Sequence, residues 1–219
     1  MDSNNERTGL IKYLKENGLY IVKPSDFETL VNVAGKSYID YPLDIYFYGG
    51  KYDEEGLKQT VRVNLYSMLD EGIIYADSEE LNGFVILMPP GYTGIKTLSF
   101  FWNGGFWILY NQGIKAINRM AKFESFAMDL RKKYTNNEDW YLYNLCVHPN
   151  LQGKKISSKL IKPIINYFKR NKKICYLETN SDRNVPIYEH FGFKLLEKTT
   201  VPNSNVPHYA MLFDGRNVN

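Results

Sequence analysis

Cysteine is nearly absent: Cys146 and Cys175 are the only two in 219 residues. Two thiols make no disulfide framework, which points to a reducing cytoplasm. Each lies in a strand-like run and reads as a small packed hydrophobe. Excess charge of one sign is missing too. A formal net charge of +3 is too near neutral to argue for nucleic acid or a membrane as partner. No hydrophobic run can span a bilayer. The richest window, residues 100–110, reads FFWNGGFWILY and is short and broken by Asn103-Gly104-Gly105. The N-terminus, MDSNNER, lacks the basic-then-apolar pattern of a secretory leader. His148, His190 and His208 are scattered, without ligand spacing to the cysteines, so no metal is expected. A Ser-His-Asp pattern and the phosphate-binding lysine motif of NTPases are both missing. Without an internal repeat, low-complexity tract or linker, the chain reads as a single domain over residues 1–219, with ample material for a core.

What the chain does have is a dense unit over residues 140–193. Residues 140–147, WYLYNLCV, are aromatic and β-branched enough for a strand, and Pro149 ends it. Gln152-Gly153-Lys154-Lys155-Ile156-Ser157 then leads into a helix whose apolar stripe is Ile156, Leu160, Ile161, Ile164, Ile165 and Phe168. Free N–H groups and the helix dipole make such a turn attractive to an anion, most naturally a phosphate. Pro163 predicts a kink within this helix rather than its end. Residues 174–179 read as a second strand and residues 180–184 as a turn. Pro186 opens a short helix and Gly192 stops it.

These motifs resemble the GNAT superfamily of N-acetyltransferases. Val147-His148-Pro149 with Gln152-Gly153 is similar to its acetyl-CoA turn. Leu177-Glu178-Thr179, Asn184-Val185-Pro186-Ile187-Tyr188 and Phe191-Gly192-Phe193 are similar to its second signature, closest in wording to the branch that includes puromycin N-acetyltransferase. The motifs cover about a quarter of the chain. The resemblance implies an α/β fold, a mixed sheet splayed at its middle with helices on both faces. It implies acetyl-CoA as cosubstrate and transfer of the acetyl group to a primary amine of a small molecule, by direct attack in a ternary complex. The alternatives are a protein or peptide acceptor, and a non-catalytic acyl-CoA-binding regulatory module. Residues 140–213 would be the acetyl-CoA half. Leu145, Cys146 and Val147 would meet the acetyl end, with the Val147 amide or a neighbour on its carbonyl. Gln152, Gly153, Lys154, Lys155, Ile156, Ser157 and Ser158 would hold the pyrophosphate, and Asn184 and Tyr188 would lie along the pantetheine arm. The family turn usually carries small residues where this chain has Lys155 and Ser157, a departure that keeps the non-catalytic alternative open.

Tyr188 is the leading catalytic candidate, as proton donor to the departing thiolate; its other reading is packing of the short helix. Glu178 is either a base, directly or through water, or a support for the following turn. Asn184 reads equally as a turn residue, and His148 as part of its turn. The lysines from 154 to 173 read either as a solvated helix face or, for the first two, as an attraction for the phosphates of CoA. The oligomeric state has no signature.

Before the unit, residues 9–17 read as a short helix or arm and residues 19–22 as a strand. Ser25 and Glu28 read as a capping box for a helix with Phe27, Leu30, Val31, Ala34 and Tyr38 on one face. Tyr46, Phe47 and Tyr48 read as an aromatic loop bordering a substrate pocket. Residues 53–70 read as a second helix, and residues 72–76 and 83–88 as a hairpin. Residues 92–139 exceed what a connection needs and read as a substrate-side insertion. Its helix is expected from about Gly113 to Lys133, with Ile114, Ile117, Met120 and Ala121 leading the apolar face. The aromatic window within it reads as interfacial loop, substrate wall or core. Strands are expected to about Thr200 and over residues 208–213, joined by Pro202-Asn203-Ser204-Asn205.

Overall fold

Strand β4 (Trp140–Val147) is the middle strand of a seven-stranded sheet. The computed structural model describes residues 3–136 and 138–217, so the first two residues of the sequence-read N-terminus lie outside them. The other strands are β1 (Tyr20–Ile21), β2 (Ile73–Ala76), β3 (Gly83–Met88), β5 (Ile174–Thr179), β6 (Lys194–Thr200) and β7 (Pro207–Asp214). Their order is β1-β2-β3-β4-β5-β7-β6, antiparallel throughout except for the parallel β4–β5 pair. That pair is short. Trp140–Leu142 matches Cys175–Leu177, and from residue 143 onward β4 parts from β5. The sheet is mixed and splayed at its centre, as the motifs imply.

Helices cover both faces. On one lie α1 (Ser3–Glu16) and α7 (Ile156–Arg170), packed against Val85, Leu87, Trp140, Leu142, Cys175 and Leu177. In α7 the apolar stripe is buried as its spacing requires: Leu160, Ile161, Ile164, Ile165 and Phe168. Each such side chain stabilises the fold by about 1.5–3 kcal/mol. The helix continues through Pro163, where the lost hydrogen bond is outweighed by this stripe. The opposite face carries α2 (Phe27–Ser37) and α4 (Glu54–Met68), whose buried Phe27, Leu30, Leu57 and Leu65 meet Phe84, Ile86 and Cys146. Asp53 caps α4, accepting from the Gly56 amide at 2.7 Å. Short helix α8 (Val185–His190) ends at Gly192, whose φ of 92° is one glycine adopts freely.

Four local expectations are corrected. The Ser25–Glu28 capping box does not form. Pro24 begins a 3-10 turn, Asp26 accepts from the Lys23 amide at 2.8 Å, and Glu28 instead grips Arg62 through two contacts of 2.8 and 2.7 Å. A bidentate guanidinium outcompetes a backbone cap for that carboxylate. The aromatic loop is mostly helix α3 (Pro42–Phe47), started by a proline at its first position. Residues 9–17 belong to a helix that starts at Ser3. The insertion forms α5 (Thr97–Phe100), a wide helical turn (Phe101–Gly105) and α6 (Phe106–Tyr134). Gly113 breaks α6 with φ 75° and ψ 171°, so the expected start marks its second segment. That segment buries Ala116, Ala127 and Leu130, while Ile114 and Ala121 face solvent. The stripe read from residue 114 is rotated, because aromatic residues farther along, Phe123 and Phe126, settle over the sheet at His208.

Candidate active site

The splay is prepared by one irregularity in β4. Ile86 faces Asn144 but Leu87 faces Leu142, so Tyr143 is an extra residue, a β-bulge. A one-residue slip exchanges the faces of everything beyond it. Leu145 and Val147 therefore join Trp140 and Leu142 on the α7 side, and Cys146 joins Tyr141 and Tyr143 on the other. The carbonyls of Leu145 and Val147 are turned away from β3. The Tyr38 hydroxyl donates to Leu145 O at 3.4 Å, and the Ser37 hydroxyl to Val147 O at 2.9 Å.

Where the strands part, a groove of about 190 Å³ opens. Leu145 and Val147 form its strand wall. Leu151, Gln152, Gly153, Ile156 and Ser157 bring the turn and the start of α7, and Asn184, Ile187 and Tyr188 bring α8. Gly153 has φ 78° and Lys155 φ 66°, and this pair of left-handed residues aims the chain into α7. Position 155 thus demands the conformation glycine prefers, and a lysine holds it at roughly 1–2 kcal/mol of strain. The leading amides of α7 lack intrahelical partners, as in every helix, and lie at the edge of the groove.

The sequence-read binding residues divide accordingly. Leu145, Val147, Gln152, Gly153, Ile156, Ser157, Asn184 and Tyr188 come together in the groove wall. Lys154 and Lys155 are exposed and outside that wall, and Ser158 is half-buried and also outside it. The Cys146 side chain, 2% exposed, packs with Phe84 and Val31 on the far face as a small hydrophobe. Burial pushes its thiol up to about 12 and raises that of Cys175 as well, so neither is a ready nucleophile. His148 accepts from the Asn150 amide at 3.3 Å and belongs to its turn.

Tyr188 is largely buried against Phe193, with ring centroids 5.8 Å apart, and it also lines the groove. Burial first, then Tyr41, raises the pKa of its phenol, which stays a proton donor. Asn184 donates to Thr179 Oγ1 at 2.9 Å, tying α8 to the end of β5. On the other face two tyrosines just past α2 brace the parted strands. Tyr38 donates to Asn144 Oδ1 on β4 at 3.1 Å, and Tyr41 accepts from the Asn180 amide after β5 at 2.8 Å. Their rings meet edge to face at 5.3 Å. The sequence places Tyr38 on the apolar face of its helix. The available signal was two phenols three residues apart, just beyond a helix.

Glu178 lies on that second face, its side chain 6% exposed. It accepts from Tyr141 at 3.2 Å and Tyr176 at 2.9 Å, and the buried His208 ring stands 3.8 Å away. His208 is held by Asn180 at 3.1 Å. Nearby, burial and then the charge of Glu178 raise the pKa of Glu124 on α6, while Arg131 opposes them. Arg131 stacks over Tyr141 at 4.5 Å and Tyr92 at 5.3 Å.

Asp44, in the first turn of α3, is a group the sequence reading passed over. Burial pushes its carboxyl up to about 7. Its charge reaches the phenols of Tyr38, Tyr41, Tyr48 and Tyr143. Leu43 and Phe47 of α3, Val201 and Val206 of the β6–β7 turn, and Phe123 of α6 pack together and roof this face. No group of His, Cys, Asp and Glu able to hold a metal occurs among the described residues.

Residues 129–213 match the acetyltransferase (GNAT) domain family. An uncharacterised N-acetyltransferase of Schizosaccharomyces pombe is 38% identical over 82 residues, which is 36% of this chain and 33% of that protein. The chain thus matches about a third of the length of that curated relative. The fold extends further. A structure described as histone acetyltransferase HPA2 and related acetyltransferase, from Corynebacterium glutamicum, aligns with TM-score 0.60 at 15% identity, over 89% of this chain and 94% of that one. Arylalkylamine N-acetyltransferase 2 from Aedes aegypti aligns with TM-score 0.57 at 14% identity, over 90% and 97%. Polyamine N-acetyltransferase of Drosophila melanogaster, described as forming N-acetylagmatine, aligns with TM-score 0.54 at 13% identity, over 90% and 98%. With its motifs in a splayed β4–β5 groove, the acetyltransferase (GNAT) domain match over residues 129–213 across that groove and a shared fold over nine-tenths of its length, the chain is similar to the GNAT acetyltransferases.

Proposed function

We propose that the chain is an acetyl-CoA-dependent N-acetyltransferase whose acceptor is a primary amine of a small molecule. The observation that carries this reading is the groove between β4 and β5, which brings the start of α7 and Tyr188 to one cleft. Acetyl-CoA, as cosubstrate, supplies the acetyl thioester. The turn from Gln152 to Ser157 and the α7 amides suit its pyrophosphate, with Ser158 in the first turn of α7. Outward amides of β4, from Leu145 to Val147, suit the acetyl carbonyl and the charge that develops on its oxygen. The amine nitrogen attacks that carbon, the C–S bond breaks, and the Tyr188 hydroxyl gives the departing thiolate its proton. The proton lost by the amine goes to a carboxylate on the braced face. Asp44, poised near neutrality, suits that step better than Glu178, whose oxygens already accept from two phenols. Direct attack fits the two buried, unactivated thiols. The roof of α3, α6 and the β6–β7 turn favours a small acceptor over a protein chain, and the acidic groups beneath it favour a cation. The amine-acetylating activities named for the insect structures are consistent with this.

Tyr188→Phe tests the assignment. The variant keeps the ring against Phe193, so acetyl-CoA affinity and melting temperature should hold while kcat falls by about 10²–10⁴-fold. Normal turnover in steady-state kinetics would remove the acid role and leave a packing residue. A rise in KM for acetyl-CoA at constant kcat would make the hydroxyl a binding contact.

A further inference from the structure

The fold leaves a row of large apolar side chains in solvent. Leu98 is 86% exposed, Trp102 90%, Phe106 66%, Tyr110 89% and Ile114 58%. They recur every fourth residue through α5, the wide turn and α6; Gly104 (φ 117°) and Gly113 (φ 75°) interrupt the helical path between them, so what they share is exposure rather than one helical stripe. Trp107, 38% exposed, stands beside them. The other side of the segment is fastened to α4 and its cap. Gln59 donates to Gly104 O at 3.4 Å, Asn103 to Ser67 at 3.1 Å and Gln112 to Asp53 at 2.8 Å, and Ile108 is fully buried. The row is therefore a fixed ridge. It stands on the outside of α4, a layer away from the sheet, while the groove lies on the α7 side.

The chemistry of the ridge selects its partner. No charged residue occurs from Thr97 to Ile114, and Lys96 and Lys115 bracket the stretch. Tryptophan and tyrosine are the side chains favoured at the boundary of a bilayer, and flanking lysines reach anionic headgroups; Lys96 pairs with Glu71 at 2.9 Å, so Lys115 is the cation that serves this role first. A segment of this kind lies in the plane of the interface, its apolar side about 5–10 Å deep. Among the described residues no helix is long and apolar enough to cross a membrane. We infer that this ridge seats the protein on a lipid surface, inserting the Leu98–Trp102–Phe106–Tyr110 row among the headgroups with Lys96 and Lys115 at its ends. Net charge, which argued against a membrane, averages the whole surface and is blind to a local uncharged ridge. The groove stays open to the aqueous side, so this inference is independent of the acetyl-transfer reading.

The full chain is mixed with vesicles of phosphatidylcholine alone and with one-fifth phosphatidylserine. Binding is read by co-sedimentation and by tryptophan emission, since Trp102 and Trp107 are exposed and Trp140 is buried. Partition with a blue shift is expected on both, tighter with phosphatidylserine. The triple variant Trp102→Ser, Phe106→Ser, Tyr110→Ser should lose at least tenfold in partition. Its melting temperature should hold, because these side chains are mostly in solvent. Protein left in the supernatant with both vesicles overturns the inference. So does a vesicle-independent dimer in analytical ultracentrifugation that the triple variant abolishes, since the ridge would then be a contact between two copies.

Discussion

Lys155 shows how a departure from a motif becomes physical once the backbone is known. Its φ of 66° places a β-carbon where glycine would have none. Lys155→Gly should relieve that strain and raise the stability measured by urea unfolding by up to about 1 kcal/mol. A loss of that size would mean the lysine side chain makes a stabilising contact in solution. Asp44 gives a second residue-scale outcome. Its folded pKa, near 7, stands above the usual carboxylate value of 3.8. Between those values the folded state holds a proton that the unfolded chain has released. Stability through this group is therefore full below pH 4 and falls as pH rises toward 7. Asp44→Asn should remove that decline, so its advantage over the parent should grow from pH 4 to pH 7 in a series of melts. If Asp44 takes the amine proton, the same variant also loses the rise in kcat/KM near pH 7. A parallel pH dependence of stability in both proteins would place Asp44 in open solvent. Neither property was legible in the sequence. A single aspartate after Pro42 carries no pattern, and its environment comes from tyrosines at positions 38, 41, 48 and 143.

At the scale of elements, the unit from β4 to β7 was readable because each signal is local. The α7 stripe repeats at helical spacing, Pro186 and Gly192 bound α8, and the strands are β-branched and aromatic. The bulge at Tyr143 was not readable, since it is a mismatch between two strands and shows only in their register. That hidden residue decided which neighbours reach the groove, sending Cys146 into the core and Leu145 and Val147 to the wall. The apolar face of the insertion's helix was hidden for the same kind of reason. That helix rotates to lay Phe123 and Phe126 on His208, a partner more than eighty residues away in sequence. The break within α6 is testable. Gly113 holds φ 75° and ψ 171°, a region almost reserved for glycine, with no neighbour within 4 Å of an added β-carbon. Gly113→Ala should cost about 1–3 kcal/mol by calorimetry from backbone strain alone. An unchanged melting temperature would show that the two segments join as one continuous helix.

Across the whole molecule, one sheet keeps two tasks apart. The α7 face builds the groove, and the α2, α3 and α6 face roofs the other side of the same parted strands. Tyr38 and Tyr41 pin β4 and β5 from behind, so the opening is held by protein even without a ligand. That opening is the proposed site of acetyl transfer. The most direct measurement is mass spectrometry of the products when the purified chain, acetyl-CoA and a panel of small primary amines and diamines are combined, with free CoA thiol followed in parallel. The predicted result is an acetylated amine appearing in step with thiol release, at a rate proportional to the protein. Acetyl-CoA that binds and protects the fold while no amine in the panel is acetylated would contradict the claim and leave a chain that binds acyl-CoA without turning it over.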